Sequence, residues 1–354
     1  MRKYLKIVCL LLVVLNFTGC TANKVENTLP EQNTINNEQT SAESSKNEEM
    51  VVESKNQSEL VFLSVEEGAE VLSKDDDYIS KLSKFDYISK FKKDSILNQE
   101  ERKKEYLKTI IDYENTEKEK ITEAYNKIME KIKPYNLNLP EKIGLVNTKG
   151  LIEAGAAYTR ENVIVMPETF IKSIDRDTLE SILTHELFHV YSRYNKDKRE
   201  ALYGIIHYQK CESLEIPESL KNLTISNPDA PDLNYYINSQ FNGKSFSWLP
   251  ITYSKVEYNK EKNDPFFAYL NDDMLAVEII NNKPVPLLDN GKLIILKKDQ
   301  LDDYYDLIGQ NTNYTYHPEE TIADNFVLMV QNKDSEVNSP WVLEEMRELF
   351  KSFE

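Results

Sequence analysis

The chain has 354 residues, 40% hydrophobic and 10% aromatic, enough to bury a large core, so neither a repeat array nor a wholly disordered chain fits. Its net charge of −17 argues against a nucleic-acid partner, because phosphate binding needs a basic footprint. An acidic surface of this kind serves solubility.

The first twenty residues follow a secretory pattern. Arg2, Lys3 and Lys6 form a positive start, and Ile7 to Leu15 form an apolar run too short for a relaxed membrane span. The run ends in Phe17-Thr18-Gly19-Cys20, which resembles a bacterial lipobox, although Phe17 stands where leucine is commonest. The resemblance implies a lipoprotein signal over 1–20, lipidation of Cys20, and a protein held by lipid alone at the extracytoplasmic face of a bacterial cell membrane. Ordinary signal cleavage and an uncleaved anchor are the alternatives. With Cys9 leaving in the signal and Cys20 carrying lipid, the mature chain keeps only Cys211. No internal disulfide is then expected, and Cys211 reads as a buried small hydrophobe rather than a nucleophile.

Residues 21–59 lack aromatic residues and are rich in Asn, Glu, Gln, Ser, Thr and Lys. Such a stretch cannot offset its ordering entropy by burial, so a disordered tether is expected. From 60 to 140 the pattern is helical. Ser64 to Glu67 and Asn98 to Glu101 read as capping boxes, the second opening a long helix in which Leu107, Ile110, Ile111, Ile121, Tyr125, Ile128 and Ile132 recur at three- and four-residue spacings. This stretch is expected to be a helical N-terminal subdomain covering a catalytic part over 141–354.

Strand chemistry follows Pro140. Ala156 to Thr159 and Val163 to Met166 read as a hairpin, Pro167 ends its pairing, and a short helix is expected over 168–174. The next helix opens on a capping-box pattern at Asp177 to Glu180 and runs to about Tyr194, with Leu179, Ile182, Leu183, Leu187, Val190 and Tyr191 giving it enough apolar surface to be buried. Residues 199–209 look helical, and a long irregular stretch with Pro217, Pro228 and Pro231 follows. Strand-like runs appear at 246–253 and 267–280, a hairpin around Asp289-Asn290-Gly291, and a short helix over 299–308. Pro318 sits near the first turn of another helix, and an amphipathic helix closes the chain over 341–353. Residues around 210–315 are expected to form an insertion shaping or covering a cleft.

The chemistry concentrates in Thr184-His185-Glu186-Leu187-Phe188-His189-Val190. Residues at i and i+4 share one helix face, so His185 and His189 can direct both imidazoles at one ion. Glu186, beside the first histidine, can accept a proton from water bound to that ion, and Zn2+ lowers the pKa of that water towards about 7 while polarising a carbonyl. A buried helix would hold two unpaired histidines only at a cost.

Through these residues the chain resembles the zincin metallopeptidases. The resemblance implies an α+β fold with an active-site helix and a small mixed sheet, Zn2+ as cofactor, a peptide or protein substrate, and a strand, either 156–159 or 163–166, that binds substrate by β-addition. Ser192 and Asn195 stand where the metzincin branch needs glycine and histidine. The gluzincin branch uses a glutamate on a later helix, and Glu320-Thr321-Ile322-Ala323-Asp324 has its form, with Glu320 as ligand and Asp324 as the partner of His185. Glu212, Glu215, Glu319 and His207 are competitors for the third ligand. Tyr314, Tyr316 or His317 could donate to an oxyanion, or simply pack around a proline-capped helix start. Two other readings are a non-catalytic lipoprotein with structural zinc and a zinc amidohydrolase acting on cell-wall amides.

Overall fold

The computed structural model describes residues 58–353 except residue 263; the signal segment, Cys20 and nearly all of the expected tether lie outside this range. The described residues belong to one compact unit that combines helices with two main sheets.

The first sheet assembles strands from three parts of the chain. Strand β1 (Glu59–Phe62) lies parallel to β3 (Lys142–Thr148), which lies parallel to β5 (Val163–Pro167). Strand β4 (Tyr158–Arg160) pairs antiparallel to β5 and forms the edge. The two-residue β2 (Ile110–Ile111) joins the far end of β3. Helices α1 (Val65–Ser73), α2 (Asp77–Lys81), α3 (Lys84–Phe91) and α4 (Gln99–Thr109) lie between β1 and β2 in sequence. Of these, α1, α3 and α4 pack on the sheet: Ala69, Leu72, Tyr87, Phe91 and Tyr106 share one core with Val146, Val163 and Val165.

Two expectations for this region change. The chain is not helical from Leu60, since residues 59–62 add to the sheet. The long helix is broken, because the β-branched pair Ile110 and Ile111 joins β3 and a new helix, α5 (Asn115–Ile132), starts after Glu114. Both expected capping boxes form, at Ser64 with Glu67 and at Asn98 with Glu101.

After a short α6 (Glu168–Ser173) comes α7 (Arg176–Tyr194). Its N-cap is Asp175, whose side chain accepts from Thr178 N at 2.8 Å, so the helix starts before the expected Asp177 box. Helix α7 packs against α5, β4, β5 and a later helix, α10 (Pro318–Val330), which explains why its apolar residues run round the helix rather than along one stripe. Helix α8 (Arg199–Ile205) is shorter than expected, because His207 takes a left-handed φ of 61° and starts a strand, β6 (Tyr208–Lys210).

The second sheet is antiparallel, in the order β10 (Lys283–Pro286), β9 (Asn271–Ile280), β8 (Lys244–Tyr253), β7 (Tyr235–Phe241), β6. Strand β7 falls in the stretch expected to be irregular. The small hairpin of β11 (Leu288–Asp289) and β12 (Lys292–Leu293) turns at Asn290 and Gly291, both at positive φ, and β13 (Ile295–Leu296) returns to β9. Cys211 is buried in this sheet's core with Leu249, Ile251, Leu275 and Val277, and burial pushes its thiol up to about 11, as suits an inert packing residue. A short α9 (Tyr304–Ile308) precedes α10, and α11 (Pro340–Ser352) ends the fold.

Aromatic contacts fix the helices that carry the site. Phe188 of α7 lies 5.4 Å from Phe326 of α10, and Phe350 of α11 lies 5.7 Å from both Phe326 and Tyr191, centroid to centroid. These rings set the approach of α7 to α10.

Candidate metal centre

Helix α7 presents His185 and His189 on one face, with ring centroids 4.6 Å apart, as the i, i+4 spacing requires. Helix α10 starts opposite them. His317 is its N-cap, accepting from Glu319 N at 3.1 Å through Nδ1, and Pro318 occupies the first turn, where its missing N–H costs nothing. This start delivers two adjacent glutamates to the two histidines.

Glu320 Oε2 lies 3.1 Å from His185 Nε2 and 3.4 Å from His189 Nε2. The other ring nitrogens are also engaged: His185 Nδ1 faces Asp324 Oδ1 at 2.9 Å, and His189 Nδ1 faces Glu319 Oε1 at 2.8 Å. Asp324 is one turn beyond Glu320 and accepts in addition from Thr312 Oγ1. Glu319 is held on its other oxygen by Ser192 Oγ at 2.7 Å and by Tyr203 Oη, and Ser192 Oγ in turn accepts from Arg199 Nε at 2.9 Å.

The donor set fits a zinc ion. Two Nε2 atoms and one carboxylate oxygen converge, each imidazole is oriented through Nδ1 by a carboxylate, and His185, His189 and Glu320 form a group whose ligand atoms lie within 4.8 Å of one another. Buried Glu186 Oε2 and His189 Nε2 have no hydrogen-bond partner among the described residues, which an ion and its bound water would satisfy.

The electrostatics follow from burial plus these contacts. Burial opposes charge on His185, but hydrogen bonds to Asp324 and Glu320 outweigh it and raise the imidazole to about 10. His189 is raised well above its usual range despite burial, through Asp229, Glu320 and Glu319. His185 faces a carboxylate at both nitrogens, and only an imidazolium can donate from both, so the metal-free cluster holds a proton that a cation would displace. Burial, reinforced by the charge of Asp229, pushes the Glu186 carboxyl up to about 8. Burial likewise opposes charge on Glu319, yet His189, Arg199 and Tyr203 hold it down to about 2.

Glu320 thus lies between the two Nε2 atoms, and Asp324 lies against His185 Nδ1. Glu319 does not share the convergence point but holds His189. Of the other competitors, Glu212 and Glu215 are exposed, with Glu212 3.8 Å from Lys283, and His207 is exposed against Trp341. Tyr314 is beside the cluster, its ring 5.9 Å from that of His185, and Tyr316 packs on Tyr314. The buried Nε2 of His317 has no partner among the described residues, and burial pushes this imidazole down to about 4.

Two residues of the irregular loop were not foreseen. Asn227 Nδ2 donates to Glu320 Oε1, and the buried Asp229 carboxylate forms a second group with Glu186 and His189, again within 4.8 Å. A proline-rich loop has no periodicity to betray such contacts; only the unusual density of Asn and Asp among its prolines hinted at a built structure.

A family model described as "Putative zinc dependent peptidase (DUF5700)" matches residues 27–209, more than half of the chain. The match includes α7 with both histidines and ends before α10. No curated protein and no solved structure matches.

Proposed function

The chain belongs to that family of zinc-dependent peptidases, and we propose that it is a zincin-type enzyme of the gluzincin kind. In this reading His185, His189 and Glu320 hold the zinc, Asp324 orients His185, and Glu319 orients His189. The observation that carries it is the meeting of Glu320 Oε2 with both Nε2 atoms, at 3.1 and 3.4 Å, across 135 residues of sequence for His185.

Zinc bound there supplies Lewis-acid polarisation of a carbonyl and acidification of water. Glu186, buried beside both histidines, takes the proton from the attacking water and returns it to the leaving amine. Tyr314, half-buried next to His185, is the best positioned of the aromatic candidates to donate to the developing oxyanion. The edge position of β4 supports it, rather than the interior β5, as the strand beside which an extended substrate lies.

The substrate is a peptide or protein met outside the cytoplasm. Cys20 carries the lipid, the chain ahead of β1 links that lipid to the fold, and the membrane is touched through the lipid alone. The catalytic unit takes in residues before 141 as well, since β1 and β2 complete the sheet of β3 to β5, and the stretch 210–315 is an insertion that shapes its cleft. Hydrolysis of casein and a peptide library by the zinc-loaded chain and by Glu186→Gln tests the activity. Cleavage by the former and its loss in the latter are expected; a wild type that holds zinc and cleaves nothing overturns the reading.

A further inference from the structure

The metal cluster is closed in this structure: His185 is 5% exposed, Glu186 2%, His189 1% and Glu320 1%. No peptide reaches such a site unless something moves. The segment Asn227–Asp232 lies against it, with Asn227 on Glu320 and Asp229 beside Glu186 and His189.

Asp229 makes a specific contact there. Its Oδ1 accepts from Thr159 N at 2.7 Å and from Thr159 Oγ1 at 2.6 Å. The same Oγ1 accepts from Arg193 Nη1 at 2.7 Å, which directs the hydroxyl proton towards Asp229, and Arg193 Nη2 donates to Pro228 O at 2.9 Å. Thr159 belongs to the edge strand β4, so its N–H points away from β5 and is open to whatever lies alongside. Arg193 follows His189 by four residues and continues the face of α7 that carries both histidines. Two donors on one oxygen, backed by a guanidinium, are the chemistry of a carboxylate site.

The segment itself is built to be displaced. Pro228 and Pro231 lack the N–H needed to pair with β4, and among the described residues the segment's hydrogen bonds to that strand are those of the Asp229 side chain. Its ends are fixed elsewhere. Ser226 N is 3.3 Å from Asp86 Oδ1, and Ser226 O accepts from the buried Lys90 Nζ at 2.7 Å; beyond the segment, Leu233 O accepts from Leu214 N at 2.8 Å. Two cavities, of about 100 and about 80 Å³, both have Ala230, Pro231 and His317 in their walls, which leaves the segment room to shift.

We propose that Thr159 and Arg193 form a carboxylate-binding subsite beside the zinc cluster, filled in this structure by Asp229, and that Asn227–Asp232 swings out when a substrate carboxylate takes that place. The inference rests on the peptidase reading. It makes carboxylate-bearing peptides the preferred substrates, the carboxylate being either an acidic side chain or a chain terminus.

Calorimetric peptide binding to the zinc-loaded full chain carrying Glu186→Gln, which stops turnover, tests this. The probes are acetyl-Ala-Asp-Ala-amide, acetyl-Ala-Ala-Ala with a free carboxyl terminus, and the neutral acetyl-Ala-Ala-Ala-amide. Adding Asp229→Ala is expected to tighten one carboxylate probe about tenfold more than the neutral one, and adding Thr159→Val is expected to remove that difference. The probe that gains tells side chain from terminus. No gain, or an equal gain for the neutral probe, overturns the proposal. Should Asp229→Ala fail to fold, Asp229→Asn, which keeps the shape and drops the charge, is read by the same criteria. Cleavage of the peptide library without any such gain would remove the subsite alone, whereas carboxylate binding by a chain that cleaves nothing would remove the peptidase reading alone.

Discussion

Glu319 and Glu320 are neighbours in sequence, yet they serve opposite sides of the cluster: Glu319 Oε1 meets His189 Nδ1 at 2.8 Å, while Glu320 Oε2 meets His185 Nε2 at 3.1 Å. Successive residues at a helix start point about 100° apart, so one carboxylate reaches the convergence point and the other passes behind the ring of His189. The second carboxylate has its own support in Ser192, Tyr203 and Arg199.

Glu319→Gln therefore weakens zinc binding without removing a ligand. The expected loss is about 10- to 100-fold in affinity, the usual effect of removing a carboxylate behind a ligating histidine. Tyr203→Phe, which removes one of the bonds to Glu319, acts in the same direction and less strongly. Chelator competition measures both, and unchanged affinity in Glu319→Gln would show that His189 needs no such support.

Stability of the metal-free protein should fall as pH rises. His185 is raised from 6.5 to about 10, so its contribution is complete below about pH 6.5 and is lost on the way through 10. Glu186 is raised from 4.5 to about 8, and its contribution is likewise lost as pH rises through that value. Glu319, lowered from 4.5 to about 2, acts with the opposite sign and matters only in acid. Zinc displaces the Nε2 proton of His185, so its affinity rises over the same alkaline range. Melting temperatures from pH 6 to 9 in chelator and in zinc should diverge, with the chelator curve falling; parallel curves would contradict this.

Phe326→Ala tests the packing that sets α7 against α10. The ring is fully buried and touches Phe188 and Phe350, so its removal should cost about 3–5 kcal/mol. Because the same packing fixes the distance from Glu320 to the histidines, zinc affinity should drop with it. Denaturant unfolding of the metal-free chain and chelator competition separate the two effects, and a destabilised variant with unaltered affinity would place the spacing elsewhere.

What could be read from the amino acids depended on the range of the signal. The histidine pair shows within one helix turn, and Glu320 with Asp324 repeats the same four-residue interval, so both halves of the cluster were legible although the chain between them was not. Glu319 stayed among the competitors for the third ligand because adjacent carboxylates look alike in sequence, and only the start of α10 at Pro318 shows that they turn to different ring nitrogens. Asn227 and Asp229 sit in a loop where no period links a residue to a face. Strands β1 and β2 are too short to alternate, and one of the three inward positions of β7, Tyr235, Ile237 and Ser239, is a polar serine that breaks the apolar pattern.

Cys20→Ala addresses the anchoring. The variant is expected in the soluble fraction and the unaltered chain is expected with the membranes. A processed Cys20→Ala protein that still sediments with membranes would count against lipidation.

The central claim is that Glu320 completes a zinc site begun by His185 and His189. Metal analysis of the purified chain beside Glu320→Ala tests it most directly. The unaltered protein should carry about one zinc per chain and the variant far less, as loss of one of three protein ligands requires. A folded Glu320→Ala protein that keeps its full complement of zinc would contradict it.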